Sequence, residues 1–219
     1  MSESWPWLAL AALGAYHGLN PAMGWLFAVA LGLQEQRRGA VLQALPPIAL
    51  GHAVAISLAV LVIGVAQIMV PLDVLRYVCA GALILFGLYK LVRRRHPRWV
   101  GMRVGFGDLT VWSFLMASAH GAGLMLIPVL LRLSSAMSMQ GAYAHSAHAD
   151  HAAMTGSATV LADLAAVGLH TLTLFVVMGA IAIVVYEKVG VMILKRTWFN
   201  LDLLWAGALV GAGLITLVL

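Results

Sequence analysis

Long apolar runs alternate with short polar connections along the whole chain. Each run is long enough to cross a hydrocarbon core of about 30 Å as a helix that rises 1.5 Å per residue. No stretch alternates apolar and polar residues as a half-buried strand would. The pattern predicts an all-α, polytopic membrane protein with about six transmembrane helices, namely Trp5–Leu33, Val41–Ile68, Leu72–Leu91, Leu109–Leu133, Ala158–Tyr186 and Leu201–Leu219.

Basic residues cluster in three of the five connections. They follow the first, third and fifth predicted helices, whereas residues 67–71 and 134–157 contain no Lys or Arg. Connections rich in Lys and Arg stay on the cytoplasmic side of a membrane. The charges therefore predict a multi-pass protein of the inner membrane with both termini on the outer, periplasmic side.

Composition supports lipid as the surrounding solvent. Of the 219 residues, 63% are hydrophobic and 10% are charged, against roughly 25% charged residues in a soluble domain. The net charge of +5 lies in clusters between apolar runs and forms no nucleic-acid surface. A single cysteine, Cys79, excludes a disulfide within the chain and a CxxC redox motif. One transmembrane domain over residues 1–219, alone or as an oligomer, fits these numbers.

Short sequence motifs, here called words, recur in the same order in the two halves of the chain. The paired words are Ala15-Tyr16-His17-Gly18 with Ser118-Ala119-His120-Gly121, Gly51-His52 with Gly168-Leu169-His170, and Ala80-Gly81-Ala82-Leu83 with Ala206-Gly207-Ala208-Leu209. Each half holds three predicted helices, so the second half would be inverted in the membrane. The sequence predicts two inverted three-helix repeats, residues 1–103 and 104–219, an architecture of secondary transporters.

Four histidines lie near the middle of predicted helices: His17, His52, His120 and His170. An ionisable group at that depth is costly unless it has a partner, and imidazole binds zinc, nickel, cobalt and copper. Taken singly, each histidine is better explained as a neutral residue bonded to a backbone carbonyl. Taken together, they predict a transition-metal site.

Two of these histidines precede helix-breaking residues. Gly18 and Pro21 should interrupt the first helix after His17, and Gly121 and Gly123 should weaken the fourth helix after His120. Asn20 offers an amide oxygen as a further ligand. Asp163 precedes His170 by two turns and is expected either on an entry path or as a hydrogen-bond partner of a histidine.

The predicted outer loop, residues 134–157, contains a short histidine tract. His145, His148 and His151 recur every third residue, with Asp150 beside them. Such a tract binds transition metals loosely and would collect ions at the pore entrance. A polar loop whose histidines bind nothing explains the pattern equally well.

The two inverted repeats, with His-Gly and Asn-Pro breaks in the first helix, resemble the superfamily of small six-helix transporters around the lysine exporters and the nickel–cobalt permeases. The sequence reads HGLNPAMG around His17 and GHAVAIS around His52, and it lacks the His-x4-Asp-His signature of nickel–cobalt permeases. The resemblance therefore implies the fold and cation transport, with His17, Asn20 and His52 as matches to a metal-binding helix. It does not imply nickel or cobalt as the substrate.

The leading hypothesis is a secondary transporter of a transition-metal cation, and not an enzyme. Three alternatives remain open: an electron-transfer protein with b-type haem, an exporter of an amino acid or small anion with the same fold, and a membrane zinc hydrolase. No GxxxxGK[ST] loop indicates an ATPase, and no HExxH motif supports the hydrolase.

Overall fold

Eight α-helices and no strand make up the part of the chain that the structure, a computed structural model, describes: residues 4–92, 105–130, 151–189 and 201–218. A 3₁₀ turn, Pro21–Met23, follows the first helix, and a π-helical turn, Val185–Val189, continues the seventh. The helices are α1 Trp5–Leu19, α2 Trp25–Glu35, α3 Arg38–Met69, α4 Leu72–Val92, α5 Phe106–Ala119, α6 Ala122–Leu130, α7 His151–Val184 and α8 Leu201–Val218.

Several of these helices are long and apolar enough to span a membrane. Three stretches qualify on their own, Arg38–Gln67 in α3, Asp73–Val92 in α4 and Val160–Lys188 in α7 and its π turn. Helices α5 and α6, which meet at a bend of 59°, make a fourth if they are counted as one span. Large apolar side chains such as Leu61 are exposed on the outer faces of these helices, as lipid contact requires. The predicted all-helical class is confirmed, and the described residues contain three helices, or four with the bent pair, that could span a membrane.

The expected interruption of the first helix is confirmed. The predicted span Trp5–Leu33 is divided into α1 and α2 by the turn that begins at Asn20. Pro21 has no N–H to continue a helix, and Gly24 has a φ of 128°, which side-chain-bearing residues rarely adopt. Gly18, by contrast, does not loosen the helix as expected. It remains helical, and a Cβ atom on it would lie 2.7 Å from the carbonyl oxygen of Leu174.

The matching weakness in the fourth predicted helix is also confirmed. Helix α5 ends at Ala119, and α6 begins at Ala122. Gly121, between them, has a φ of 69°, in the left-handed region. Its missing side chain also makes room for Phe86 of α4, whose ring would lie 3.0 Å from an added Cβ atom.

The predicted outer loop ends earlier than expected. Helix α7 begins at His151, so residues 151–157 are helical and not part of a loop. No proline or glycine-rich turn separates His151 from the apolar run, and Ala152, Ala153 and Met154 favour a helix. Residues 134–150 and the boundary between the predicted repeats at 103–104 lie outside the described residues.

The two broken helices pack against different long helices. Helix α1 lies along α7, α5 lies along α3, and α3 and α7 also contact each other. A Cβ atom on Gly14 of α1 would collide with the carbonyl oxygen of His170, and one on Gly51 of α3 would collide with that of Thr110. Small residues at these crossings allow the backbones themselves to touch, which is how membrane helices associate closely.

Helices α4 and α8 form a third close pair. A Cβ atom on Gly87 would lie 3.0 Å from the carbonyl oxygen of Ala206, and one on Gly213 would lie 3.0 Å from that of Ala80. In both cases a backbone nitrogen of the partner helix follows at 3.1 Å. Arg76 of α4 donates to the carbonyl oxygen of Thr216 at 3.0 Å, near the end of α8.

Two buried apolar clusters divide the interior along the long helices. On α3 the first cluster ends at Ile48 and the second begins at Ala55. On α7 the second cluster ends at Val167 and the first begins at Leu174. We call the cluster with Trp25, Leu45 and Met178 the first core and the cluster with Leu10, Ile56 and Leu126 the second core. The gap between them on α3 and α7 contains His52 and His170.

Replacing Gly14 with alanine should destabilise the protein. The new methyl group would meet the His170 carbonyl and force α1 away from α7, and overpacking of this kind costs about 1–3 kcal/mol of the free energy of unfolding. Unfolding in detergent, followed by circular dichroism, measures the loss. The control is Gly168→Ala on α7, where an added Cβ atom meets nothing within 4 Å, and where the change should stay within about 0.5 kcal/mol. Equal stability of both variants would contradict the α1–α7 contact.

Candidate metal centre

Three histidines from three helices meet in the gap between the two cores. His17 lies two residues before the end of α1, His52 lies in the middle of α3, and His170 lies in the middle of α7. Their exposed fractions are 0%, 1% and 0%. One ligand nitrogen from each lies within 4.8 Å of the other two, so the three side chains could hold a metal ion. We call them the histidine triad.

The spacing within the triad is close to that of imidazoles around a small cation. The Nε2 atoms of His52 and His170 lie 3.5 Å apart. Two nitrogens bound to zinc at 2.0–2.1 Å with a tetrahedral angle would lie about 3.4 Å apart. The ring of His17 lies 4.9 Å from that of His170 and 5.3 Å from that of His52, measured between centroids. The three nitrogens, which lie within 4.8 Å of one another, would thus have to approach by no more than about 1.4 Å to bind one zinc ion.

Backbone carbonyls of α1 orient two of the three rings. Nδ1 of His17 donates to the carbonyl oxygen of Leu13 at 2.7 Å, and Nδ1 of His170 donates to that of Leu10 at 3.2 Å. A neutral imidazole that donates through Nδ1 keeps a lone pair on Nε2, which is the form that binds a metal. Hydrogen bonds of this kind also fix the ring orientation of metal-binding histidines.

The third ring has a buried nitrogen without a hydrogen-bond partner. Nδ1 of His52 makes no hydrogen bond, while its Nε2 faces Nε2 of His170. Because His170 carries its proton on Nδ1, His52 must donate through Nε2 in the metal-free protein, and its Nδ1 keeps an unused lone pair. A buried polar atom of this kind is costly. His52 would ligate a cation between itself and His170 in its other neutral tautomer, with the proton on Nδ1 and the lone pair on Nε2, so three neutral imidazoles could form the donor set.

The fourth intramembrane histidine is not in the triad. His120 is buried at the end of α5, and its Nδ1 donates to the carbonyl oxygen of Met116 at 2.8 Å. This is the same bond to the carbonyl four residues earlier that His17 makes with Leu13. The structure thus brings together three of the four predicted histidine ligands, and the fourth, His120, makes the same kind of local hydrogen bond through Nδ1.

Asn20 and Asp163 occupy supporting positions. The buried Asn20 begins the 3₁₀ turn, with its Oδ1 accepting from the backbone N–H of Ala22 at 3.0 Å. Its own backbone N–H donates to the carbonyl oxygen of His17 at 3.1 Å, so it joins the triad to the turn. Asp163 is half-buried on α7, two turns before His170. Neither residue lies close enough to the histidine triad to belong to it, and within the described parts of the chain no carboxylate does.

The predicted metal-collecting tract is largely outside the described residues. His145, His148 and Asp150 fall there, and His151 is the first residue of α7. Sequence reasoning also missed the groups that orient the triad, the carbonyls of Leu10 and Leu13. The Gly14-x-x-x-Gly18 spacing, which signals close helix packing in a membrane, was a usable pointer to the helix surface that carries them.

No protein-family model matches the chain, and comparisons with curated proteins and with solved structures find no similar protein.

Alanine at His17, His52 or His170 should each weaken the binding of Zn²⁺. Loss of a mere hydrogen-bond partner of a ligand costs roughly 10–100-fold in metal affinity, so loss of a ligand should cost at least about tenfold. Competition with a chromophoric chelator, on purified protein in detergent, measures the dissociation constant. The matched control is His96→Ala, a histidine of the basic connection before α5, which should bind as the wild type does. Wild-type affinity in all three triad variants would show that the triad is not the site.

Proposed function

We propose that the chain is a secondary membrane transporter for a transition-metal cation, with the histidine triad as its substrate site. The observation that carries this proposal is the meeting of three buried imidazoles directly beside the break in α1. Interrupted helices near the bilayer midplane form the substrate sites of many secondary transporters. Imidazole nitrogens select zinc, copper, nickel or cobalt over the hard cations Mg²⁺ and Ca²⁺.

The proposed architecture has six spans, in which α1 with α2, and α5 with α6, are broken spans. Helix α8, at 18 residues, has a length of about 27 Å, close to the hydrocarbon thickness. The positive-inside rule assigns Arg38 and Glu187 to the cytoplasmic side and both termini to the periplasmic side. These two residues form an ion pair of 2.9 Å, which supports a common depth for the start of α3 and the end of α7.

Two inverted three-helix repeats are part of the same proposal. If the halves are exchanged, the contact of α1 with α7 becomes that of α5 with α3, while the α3–α7 and α4–α8 contacts map onto themselves. The pairs Gly87–Ala206 and Gly213–Ala80 are exchanged in the same way, with equal distances. This agreement in packing supports the repeat that the recurring sequence words predict.

In the proposed mechanism, access to the triad alternates between the two sides of the membrane. The first core closes the path on the side of Arg38 and Glu187, and the second core closes the path on the other side. The triad is fully buried, so the structure corresponds to a closed state in this scheme. Loosening of one core at a time, by rocking of the repeats, would admit and release the ion. Protons compete with the ion, since a protonated imidazole cannot ligate.

The geometry favours this function over the alternatives. Helix backbones touch beside the triad at Gly14, which leaves no flat slot for a haem. A hydrolase would need a general base, and no carboxylate accompanies the triad in the described residues. An amino acid or small anion would require a positive site, whereas the triad contains neutral imidazoles with oriented lone pairs. Cation binding is the chemistry that such lone pairs perform.

Zn²⁺ flux into proteoliposomes that contain a trapped zinc indicator tests the proposal. The wild type should transport Zn²⁺, and His52→Ala should reduce the initial rate at least about tenfold, because it removes one of three ligands. His96→Ala is the control and should transport at the wild-type rate. Uptake of a labelled basic amino acid is measured in parallel. Transport of the amino acid but not of Zn²⁺, Co²⁺, Ni²⁺ or Cu²⁺ would overturn the proposal in favour of the exporter.

A further inference from the structure

The histidine triad is not symmetric with respect to the two repeats. His52 and His170 correspond to each other in the recurring words, as do His17 and His120. The triad contains both members of the first pair and only one member of the second. Of the two broken helices, only α1 contributes a ligand to the triad, although α5 carries the corresponding histidine.

In the proposed repeats, the axis that relates His52 to His170 would pass through the triad. The equivalent Nε2 atoms of His52 and His170 lie 3.5 Å apart, with ring planes within 7° of each other. A two-fold axis passes midway between two atoms that it relates. An ion held by these two nitrogens would therefore lie on or next to that axis, a position that the proposed symmetry relates equally to His17 and His120.

His120 is already prepared to act as a ligand. Its Nδ1 donates to the Met116 carbonyl at 2.8 Å, as that of His17 does to the Leu13 carbonyl at 2.7 Å. Both bonds leave the lone pair on Nε2. Both histidines also lie where the first segment of a broken helix ends, α1 at Leu19 and α5 at Ala119.

The two breaks themselves differ in shape. Between α1 and α2 the chain makes a 3₁₀ turn bounded by Asn20 and Gly24, whereas between α5 and α6 it makes a two-residue turn at His120 and Gly121. When His17 is aligned with His120, the first repeat breaks about three residues later than the second, so the proposed repeats differ both in the shape and in the position of the break. In an inverted-repeat transporter, exchange of those conformations between the repeats converts one side's access into the other's.

We propose that the third ligand is exchanged during transport, with His120 replacing His17 when the protein opens to the opposite side. His52 and His170 hold the ion throughout, and the broken helices α1 and α5 take turns in completing the site. This inference rests on the proposed transport function and deepens it, because it assigns His120 a role in movement of the ion and not in the site that the structure shows.

The test compares two substitutions at the same position, His120→Ser and His120→Cys. Serine removes the ligand, while cysteine supplies a thiolate that also binds Zn²⁺. Zn²⁺ affinity is measured in detergent and Zn²⁺ flux in proteoliposomes. His120→Ser should keep an affinity within about threefold of the wild type, because the site shown uses His17, but should lose at least about tenfold in flux. His120→Cys should recover most of that flux, which a merely structural role of the imidazole would not allow.

A double variant provides the second measurement. His17→Ser should weaken binding, and addition of His120→Ser should weaken it further, because the residual site is the one that His120 completes. Wild-type flux in His120→Ser, failure of His120→Cys to restore a lost flux, or equal affinities of the single His17→Ser and the double variant would each overturn the exchange. So would a loss of affinity in His120→Ser as large as in His17→Ser, which would make His120 a simultaneous fourth ligand. A wild type that moves no metal would instead refute the transport function itself.

Discussion

The burial of three imidazoles at close quarters is the constraint on which the rest of the structure depends. Each ring carries one N–H and one lone pair, and neither can be left without a partner in an apolar interior at low cost. Helix α1 supplies two acceptors, the carbonyls of Leu10 and Leu13. A helical carbonyl oxygen has a second lone pair, so α1 can accept these bonds without giving up its own helix. The position of α1 relative to α7 therefore sets the tautomer of His170 through the Leu10 carbonyl, whereas the Leu13 carbonyl sets the tautomer of His17 within α1 itself.

That position depends on the absence of side chains. Gly14 and Gly18 lie against the carbonyls of His170 and Leu174, so the two backbones touch where the triad forms. A larger residue at either glycine would displace α1, lengthen the Leu10–His170 hydrogen bond and move His17 with it. Packing and site geometry are thus a single property of this helix pair. The same principle holds on α3, where Gly51 precedes His52 and faces the Thr110 carbonyl.

Local sequence features predicted the helices and their interruptions, but not which histidines meet. Pro21 and Gly121 act within their own turns, and the apolar runs have the length of membrane helices, so these features could be found from the sequence. The end of the outer loop could not be found from the sequence, because the residues after His151 are as compatible with a helix as with a polar loop. The choice of His17, His52 and His170 over His120 depends on contacts between helices that are distant in sequence, and no local pattern encodes them. The break at Pro21 also makes the spans hard to count from the structure. It leaves α1 with 15 residues and α2 with 11, and each is short for a membrane span.

The α4–α8 pair and the broken helices differ in how closely they follow the symmetry of the proposed repeats. Helices α4 and α8 contact each other at Gly87 and Gly213 with equal distances, and an exchange of the proposed repeats would leave those contacts as they are. The broken helices differ in conformation, and they are the elements that carry His17 and His120. In the proposed exchange, the third ligand changes at the broken helices. The supporting pair, α4 and α8, keeps its packing. For an ion close to the axis of the proposed repeats, the proposed exchange would need little movement of the ion itself, because the surrounding helices would alter which side of the membrane it faces.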